Sequence, residues 1–199
     1  MGKDTKKKKI REIIASGVAV FLKKEKDIVI SEEEIKSILF HGESKRFLDK
    51  VTITSDKIIG EITVRPVHCQ DHEINGQPIF RLVDYAEMAA QLLGIWVAQQ
   101  AIQHIDLKNK IAPLRKSSFM AIAPCFAGDL LRMEMPIIES KEDEEEGSPR
   151  IERVGREDRQ GQKRYQAIGL NIEAWVGKTK RAIIYFVELS IRDAQSLAK

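Results

Sequence analysis

The sequence predicts an α+β protein in which an antiparallel sheet wraps one long buried helix, with a helical extension ahead of it. Three observations carry this reading. First, residues from about Phe80 to Ile105 read as one helix, with Leu82, Val83, Ala86, Met88, Ala89, Ala90, Leu92, Leu93, Ile95, Val97 and Ala98 spread over nearly all its faces. A helix that is apolar all round has to be enclosed. Second, Val51 and Ile53 alternate with Thr52 and Thr54, the chain turns at Ser55-Asp56, and apolar residues resume from Ile58 to Val64. That pattern predicts a hairpin ahead of the helix. Third, three or four strand-like runs follow the helix, the last two joined at Gly177-Lys178. One sheet wrapped around the helix satisfies this order.

Composition bounds the rest. The 199 residues suit one medium domain plus an extension, with enough chain for a sizeable core. Hydrophobic residues make up 43% and charged residues 32%, as in an ordinary globular protein. A net charge of +3 is too small to imply a nucleic-acid partner. The two cysteines, Cys69 and Cys125, lie far apart and outside any C-x-x-C pair, which argues against a disulfide framework or a zinc site. No apolar run reaches the length of a transmembrane segment, and the chain reads as cytoplasmic.

Charge and periodicity divide the chain. Residues 1–29 read as a basic N-terminal extension. Its run Lys3–Lys9 is solvated, and Ile10, Ile13, Ile14, Val18 and Phe21 fall close to helical spacing. Residues 30–199 form the domain. Ser31 is placed to cap a short helix from Glu32 to about Leu39, with Glu34 at the capping-box position. The stretch "RPVHCQDHEINGQP" reads as loop, with two prolines and Asn75-Gly76. A charged insertion at about 141–163, "KEDEEEGSPRIERVGREDRQGQK", lacks apolar periodicity and reads as a mobile surface loop.

Glu87 and His72 are the chemically interesting pair. Glu87 stands near the start of the apolar helix. A buried polar group without compensation costs about 2–7 kcal/mol. Burial raises a carboxyl pKa and a helix start lowers it, so the group is tunable for general acid work. His72 lies in the loop that delivers the chain to the helix. Against this stands a plainer reading, in which Glu87 is satisfied by nearby backbone or faces a partner subunit. His68 is a second histidine in the same loop. His41 and His104 read as structural or exposed, and Gln91 as a residue that orients Glu87 or the loop backbone.

The stretch "QDHEINGQPIFRLVDYAEMAAQ" resembles a family motif, a loop G-H-F-P-G-H-P-x-x-P-G running into a buried helix with E-A-M-A-Q. That motif belongs to the hot-dog-fold 3-hydroxyacyl-[acyl carrier protein] dehydratases of fatty acid biosynthesis. His72, Pro78, Glu87 and Gln91 stand at its His, Pro, Glu and Gln. "SILFHGESKRFLDKV" is similar to the family's leading segment through His41, Asp49 and Val51, and "FMAIAPCFAGDLLRMEM" to its later strands through Gly128, Asp129, Leu131 and Glu134. The likeness runs from about residue 31 to 192. It implies a hot-dog fold, an acyl thioester substrate carried by acyl carrier protein, and no cofactor or metal. It implies a lyase in which His72 takes the C2 proton and Glu87 binds the departing hydroxyl. Backbone N–H groups among Ile79, Phe80, Arg81 and Leu82 would hold the thioester oxygen. It also implies a homodimer or higher oligomer, with the acyl pocket between subunits. The chain departs from the motif where Glu73-Ile74-Asn75 replaces Phe-Pro-Gly and Arg81-Leu82 replaces Pro-Gly. A non-catalytic subunit that binds acyl chains or carrier protein, and an acyl thioesterase, are the alternatives.

Overall fold

In a computed structural model, the structure describes residues 27–39, 41–69, 71–101, 110–138, 147–154 and 165–193. The expected solvated run at Lys3–Lys9, the amphipathic helix at residues 10–21 and His104 lie outside the described residues.

The chain begins with strand β1 (Ile28–Ile30), which pairs antiparallel with β2 (Lys50–Ile53) in the register Ile30↔Val51. Two residues of the span assigned to the extension, Ile28 and Val29, thus lie in the sheet. Between these strands runs helix α1 (Glu32–Ile38), whose capping box forms as expected. Ser31 Oγ accepts the Glu34 N–H, and the Glu34 carboxylate accepts the Ser31 N–H at 2.8 Å. A 3-10 turn at Glu43–Lys45 follows. The hairpin of β2 and β3 (Lys57–Thr63) is present, turning through Thr54 and Asp56.

Residues 65–78, expected as loop, are more ordered than that. They hold a short helix α2 (Pro66–Cys69) and a small hairpin of β4 (Glu73–Ile74) and β5 (Gln77–Pro78). The reason is Asn75-Gly76, with φ of 51° and 75°. Two successive left-handed residues are what a tight two-residue hairpin turn requires.

The long helix α3 spans Leu82–Ala101. It starts two residues later than expected, because the Phe80 N–H bonds across to Cys125 O. It is not enclosed from its first turn: Leu82 and Val83 are 54% and 60% exposed, and burial begins at Asp84.

After α3 the described residues hold β6 (Lys110–Ile111), β7 (Leu114–Ala121), β8 (Leu130–Pro136), β9 (Arg150–Arg153), β10 (Tyr165–Val176) and β11 (Thr179–Asp193). That exceeds the three or four runs expected. β9 corrects the reading of 141–163 as wholly loop. It pairs with β10 from Tyr165↔Arg153 to Ile168↔Arg150, and Ile151 packs on the core. The remainder of that insertion, 141–146 and 155–163, lies outside the described residues.

Among the described residues all pairings are antiparallel, and the sheet has nine strands in the order β1-β2-β3-β8-β10-β11-β6, with β7 also on β11 and β9 also on β10. Its inner face and α3 form the core. Met88, Leu92, Leu93 and Ile95 of the helix pack with Ile58, Ile62, Leu131, Ile184 and Leu189 of the strands, all fully buried. Burial on this scale, about 25 cal/mol per Å² of apolar surface, is what holds helix and sheet together.

Candidate functional site

The start of α3 is built on an aromatic stack. Phe80 meets Phe47 and Tyr85 edge to face, with ring centroids 5.2 and 5.1 Å apart. All three are buried. Such edge contacts fix ring positions more tightly than area alone does. They set where residues 81–87 stand.

One face of α3 then carries polar groups in a row. Asp84, nearly fully buried, takes two hydrogen bonds from the Arg81 guanidinium, at 2.6 and 2.7 Å. Lys45 Nζ stands 3.8 Å from the same carboxylate. Further along, Glu87 Oε1 lies 3.1 Å from His41 Nε2 and 3.4 Å from Gln91 Nε2. Gln91 is itself held: its Oε1 accepts the Phe47 N–H at 2.8 Å, and its Nε2 donates to Lys45 O at 2.6 Å. Residues 41–47 are thereby strapped across the helix by side chains of Asp84, Glu87 and Gln91.

This strap reverses one expectation. Burial was to raise the Glu87 pKa and the helix start only partly to lower it. The hydrogen bond from His41 outweighs desolvation and, with Gln91 and the Lys45 charge, holds the carboxyl below its usual range. Glu87 is also half-buried, with 30% of its side chain exposed and His41 at 39%. It is therefore an ionised, reachable carboxylate.

His72 is exposed, just ahead of the small hairpin. Its backbone is anchored at both ends: its N–H donates to Cys69 O, and its carbonyl accepts the Ile79 N–H at 2.8 Å. Among the proposed oxyanion donors, this commits the Ile79 N–H, and the Phe80 N–H is committed to Cys125 O. An oxyanion donor from this segment is left to the first turn of α3, where Leu82 is exposed. The Arg81 guanidinium is taken by Asp84.

The other loop histidine, His68, is fully buried. Its Nδ1 accepts the Arg65 N–H at 3.1 Å, which leaves the ring proton on Nε2. Burial, first, and the Arg65 charge keep it neutral by lowering its pKa. Cys69 and Cys125 are buried too, and burial pushes the Cys125 thiol up to about 12. Thiols so raised are poor nucleophiles. Among the described residues, no group of three or more His, Cys, Asp or Glu is placed to hold a metal ion. No helix among them is long and apolar enough to cross a membrane.

Sequence reasoning missed His41 as a partner of Glu87, along with the Arg81–Asp84 pair. The second was detectable as opposite charges three apart at a helix start. The first had its signal in His41 falling within the leading segment beside Asp49 and Val51.

No protein-family model matches the sequence, and no curated protein matches it. Solved structures do match. The dehydratase heterocomplex ApeI:P from Xenorhabdus doucetiae is 15% identical, with a TM-score of 0.52 over 82% of this chain and 94% of that one. A 1,4-dihydroxy-2-naphthoyl-CoA thioesterase from Synechocystis is 13% identical, over 69% and 83% of the two chains, with a TM-score of 0.40. A hot-dog-like protein from Thermanaerovibrio acidaminovorans is 12% identical, over 71% and 84%, also at 0.40. A large antiparallel sheet packed on one long helix, in this strand order, is the hot-dog fold, and this chain has it.

Proposed function

We propose that the chain is a dehydratase of 3-hydroxyacyl thioesters. The observation that carries this reading is Glu87: an ionised, half-exposed carboxylate on the buried helix, oriented by Gln91 and His41. Glu87 binds the substrate's C3 hydroxyl, as a carboxylate accepts an O–H strongly. His72, on the exposed loop, takes the C2 proton. The first N–H groups of α3 face the thioester oxygen, where a helix start favours developing negative charge. His72 and Glu87 come from different subunits of a homodimer, and acyl carrier protein delivers the substrate.

An ionised carboxylate is equally suited to activating water, which favours thioester hydrolysis as the second reading. One experiment separates the two. Crotonyl thioester is added to the full chain, and enoyl absorbance and free thiol are followed together. Loss of absorbance without thiol release supports the dehydratase run in reverse. Thiol release with the enoyl group intact supports the thioesterase. Neither signal, with measurable binding of the thioester, supports a non-catalytic acyl-binding subunit.

A further inference from the structure

We infer that His41 is the proton relay behind Glu87, exchanging with it the proton that the substrate oxygen loses or gains. This rests on the dehydratase reading of the same site and names a residue that reading does not require.

The departing hydroxyl has to leave as water, so something must give it a proton. Glu87 is held ionised by its surroundings and stores none. His41 Nε2 lies 3.1 Å from Glu87 Oε1, so the bond between them is an Nε2–H donated to the carboxylate. When Nδ1 carries a proton too, the Nε2 proton passes to Glu87 and leaves a neutral ring. The carboxylate's geometry is not left to chance. Gln91 reaches Glu87 Oε1 from the other side at 3.4 Å and is locked to Lys45 O and Phe47 N–H. Lys45 is the other cation acting on Glu87. It pairs with Asp84 at 3.8 Å, so it fixes the field at the carboxylate.

The bookkeeping closes. In dehydration, the C2–H bond breaks as His72 takes the proton, the C2=C3 bond forms and the C3–O bond breaks. The leaving oxygen takes a proton through Glu87 from the His41 imidazolium. In hydration the same atoms run backward. Water gives a proton to ionised Glu87, which passes it to the unprotonated Nε2 of the Nδ1–H form of His41, while the His72 imidazolium protonates C2. Solvent restores both rings after each turnover. His41 acts through Glu87, so it is a positioning and relay residue.

The test uses hydration of a crotonyl thioester by the full chain, with His41→Gln and His41→Asn compared to wild type. Both amides keep a donor without a titrating ring. The expected result is a fall in kcat of about 10²-fold with KM nearly unchanged. The pH profile of kcat changes in both variants, because the ring that exchanges the proton is gone. Glu87→Gln combined with His41→Gln is no slower than Glu87→Gln alone. In wild type, the His41 ring resonances shift on substituting Glu87, and unfolding curves verify that each variant is folded. Wild-type turnover with an unchanged rate and pH profile in folded His41 variants overturns the relay alone. A wild type with no activity on enoyl or 3-hydroxyacyl thioesters overturns the dehydratase reading, and the relay with it.

Discussion

The side-chain amide of Gln91 accepts the Phe47 backbone N–H at 2.8 Å inside the protein, joining positions 44 residues apart. Its other end donates to Lys45 O. One residue of the long helix therefore satisfies two backbone groups of the segment that covers Glu87.

Gln91→Ala should leave both groups unpaired. The Phe47 N–H is buried and Lys45 O only half-buried; a buried orphan costs about 1–3 kcal/mol and a half-buried one less, so a loss of about 2–4 kcal/mol is expected. Urea unfolding measures it. Gln91→Glu keeps the acceptor for Phe47 but sets a carboxylate oxygen against Lys45 O and Glu87. It should be nearly as unstable at neutral pH and recover as the pH falls. A Gln91→Ala protein as stable as wild type would mean the strap is held by something else.

The Arg81–Asp84 pair makes a second case. The Asp84 side chain is 4% exposed and that of Arg81 18%. Removing one member of a buried pair typically costs about 3–5 kcal/mol, because a charge is left without its partner. Arg81→Ala should fall at the low end, since Lys45 remains nearby. Replacing both residues with apolar ones should cost less than the single change. If Arg81→Ala alone is neutral, the guanidinium is free to serve a ligand.

His68 predicts a pH dependence. Its folded pKa is lowered, by burial above all, so the unfolded chain takes up the proton first. The stabilisation is complete above the ordinary imidazole pKa of about 6.5 and is lost as the pH falls toward the lowered value. Unfolding free energy should therefore drop between pH 7.5 and 5. His68→Asn keeps an acceptor for the Arg65 N–H without titrating, so it should flatten that slope while starting less stable at pH 7.5. An equal slope in the variant would assign the dependence elsewhere.

Assembly is testable at strand β7. Among the described residues its one sheet partner is β11, and Leu114 and Met120 on it are exposed, as are nearby Ile122 and Tyr185. An edge strand of eight residues with apolar side chains invites pairing. A homodimer is expected by sedimentation at micromolar concentration. Met120→Glu should weaken it at least about tenfold, or about 1.4 kcal/mol. A monomeric wild type would remove the shared pocket from the proposed mechanism.

The sequence was legible where apolar periodicity ran long. Helix α3 and the hairpin of β2 and β3 each declared themselves through a period that only one element type satisfies. The Ser31 cap was equally plain. β9 was hidden because Ile151 is its one apolar residue, and its neighbours are polar groups paired along and across the sheet, such as Arg150 with Glu152 and Gln166 with Glu152. The small hairpin was hidden because its strands are two residues each and solvent-exposed. At the site, Glu87 and Gln91 were readable as a pair one turn apart. His41 stood out only through the likeness of its segment, since nothing local reveals which distant residue will meet a helix face. The direction of the Glu87 pKa followed from that omission: burial and the helix start were visible in the sequence, and the His41 hydrogen bond that outweighs burial was not.

The small hairpin has a consequence for anyone recombining this protein with others of its shape. Ile79 bridges Phe126, Ala127 N–H donates to Pro78 O, and Phe80 N–H donates to Cys125 O. Val64 and the Gly128-Asp129 turn exchange two more bonds. Residues 64–80 and 125–129 are thus stitched into one block from two distant stretches of chain. A chimera that imports a foreign His72 loop alone would tear that seam. One that imports both stretches together would carry its own stitching, and grafts should be cut there.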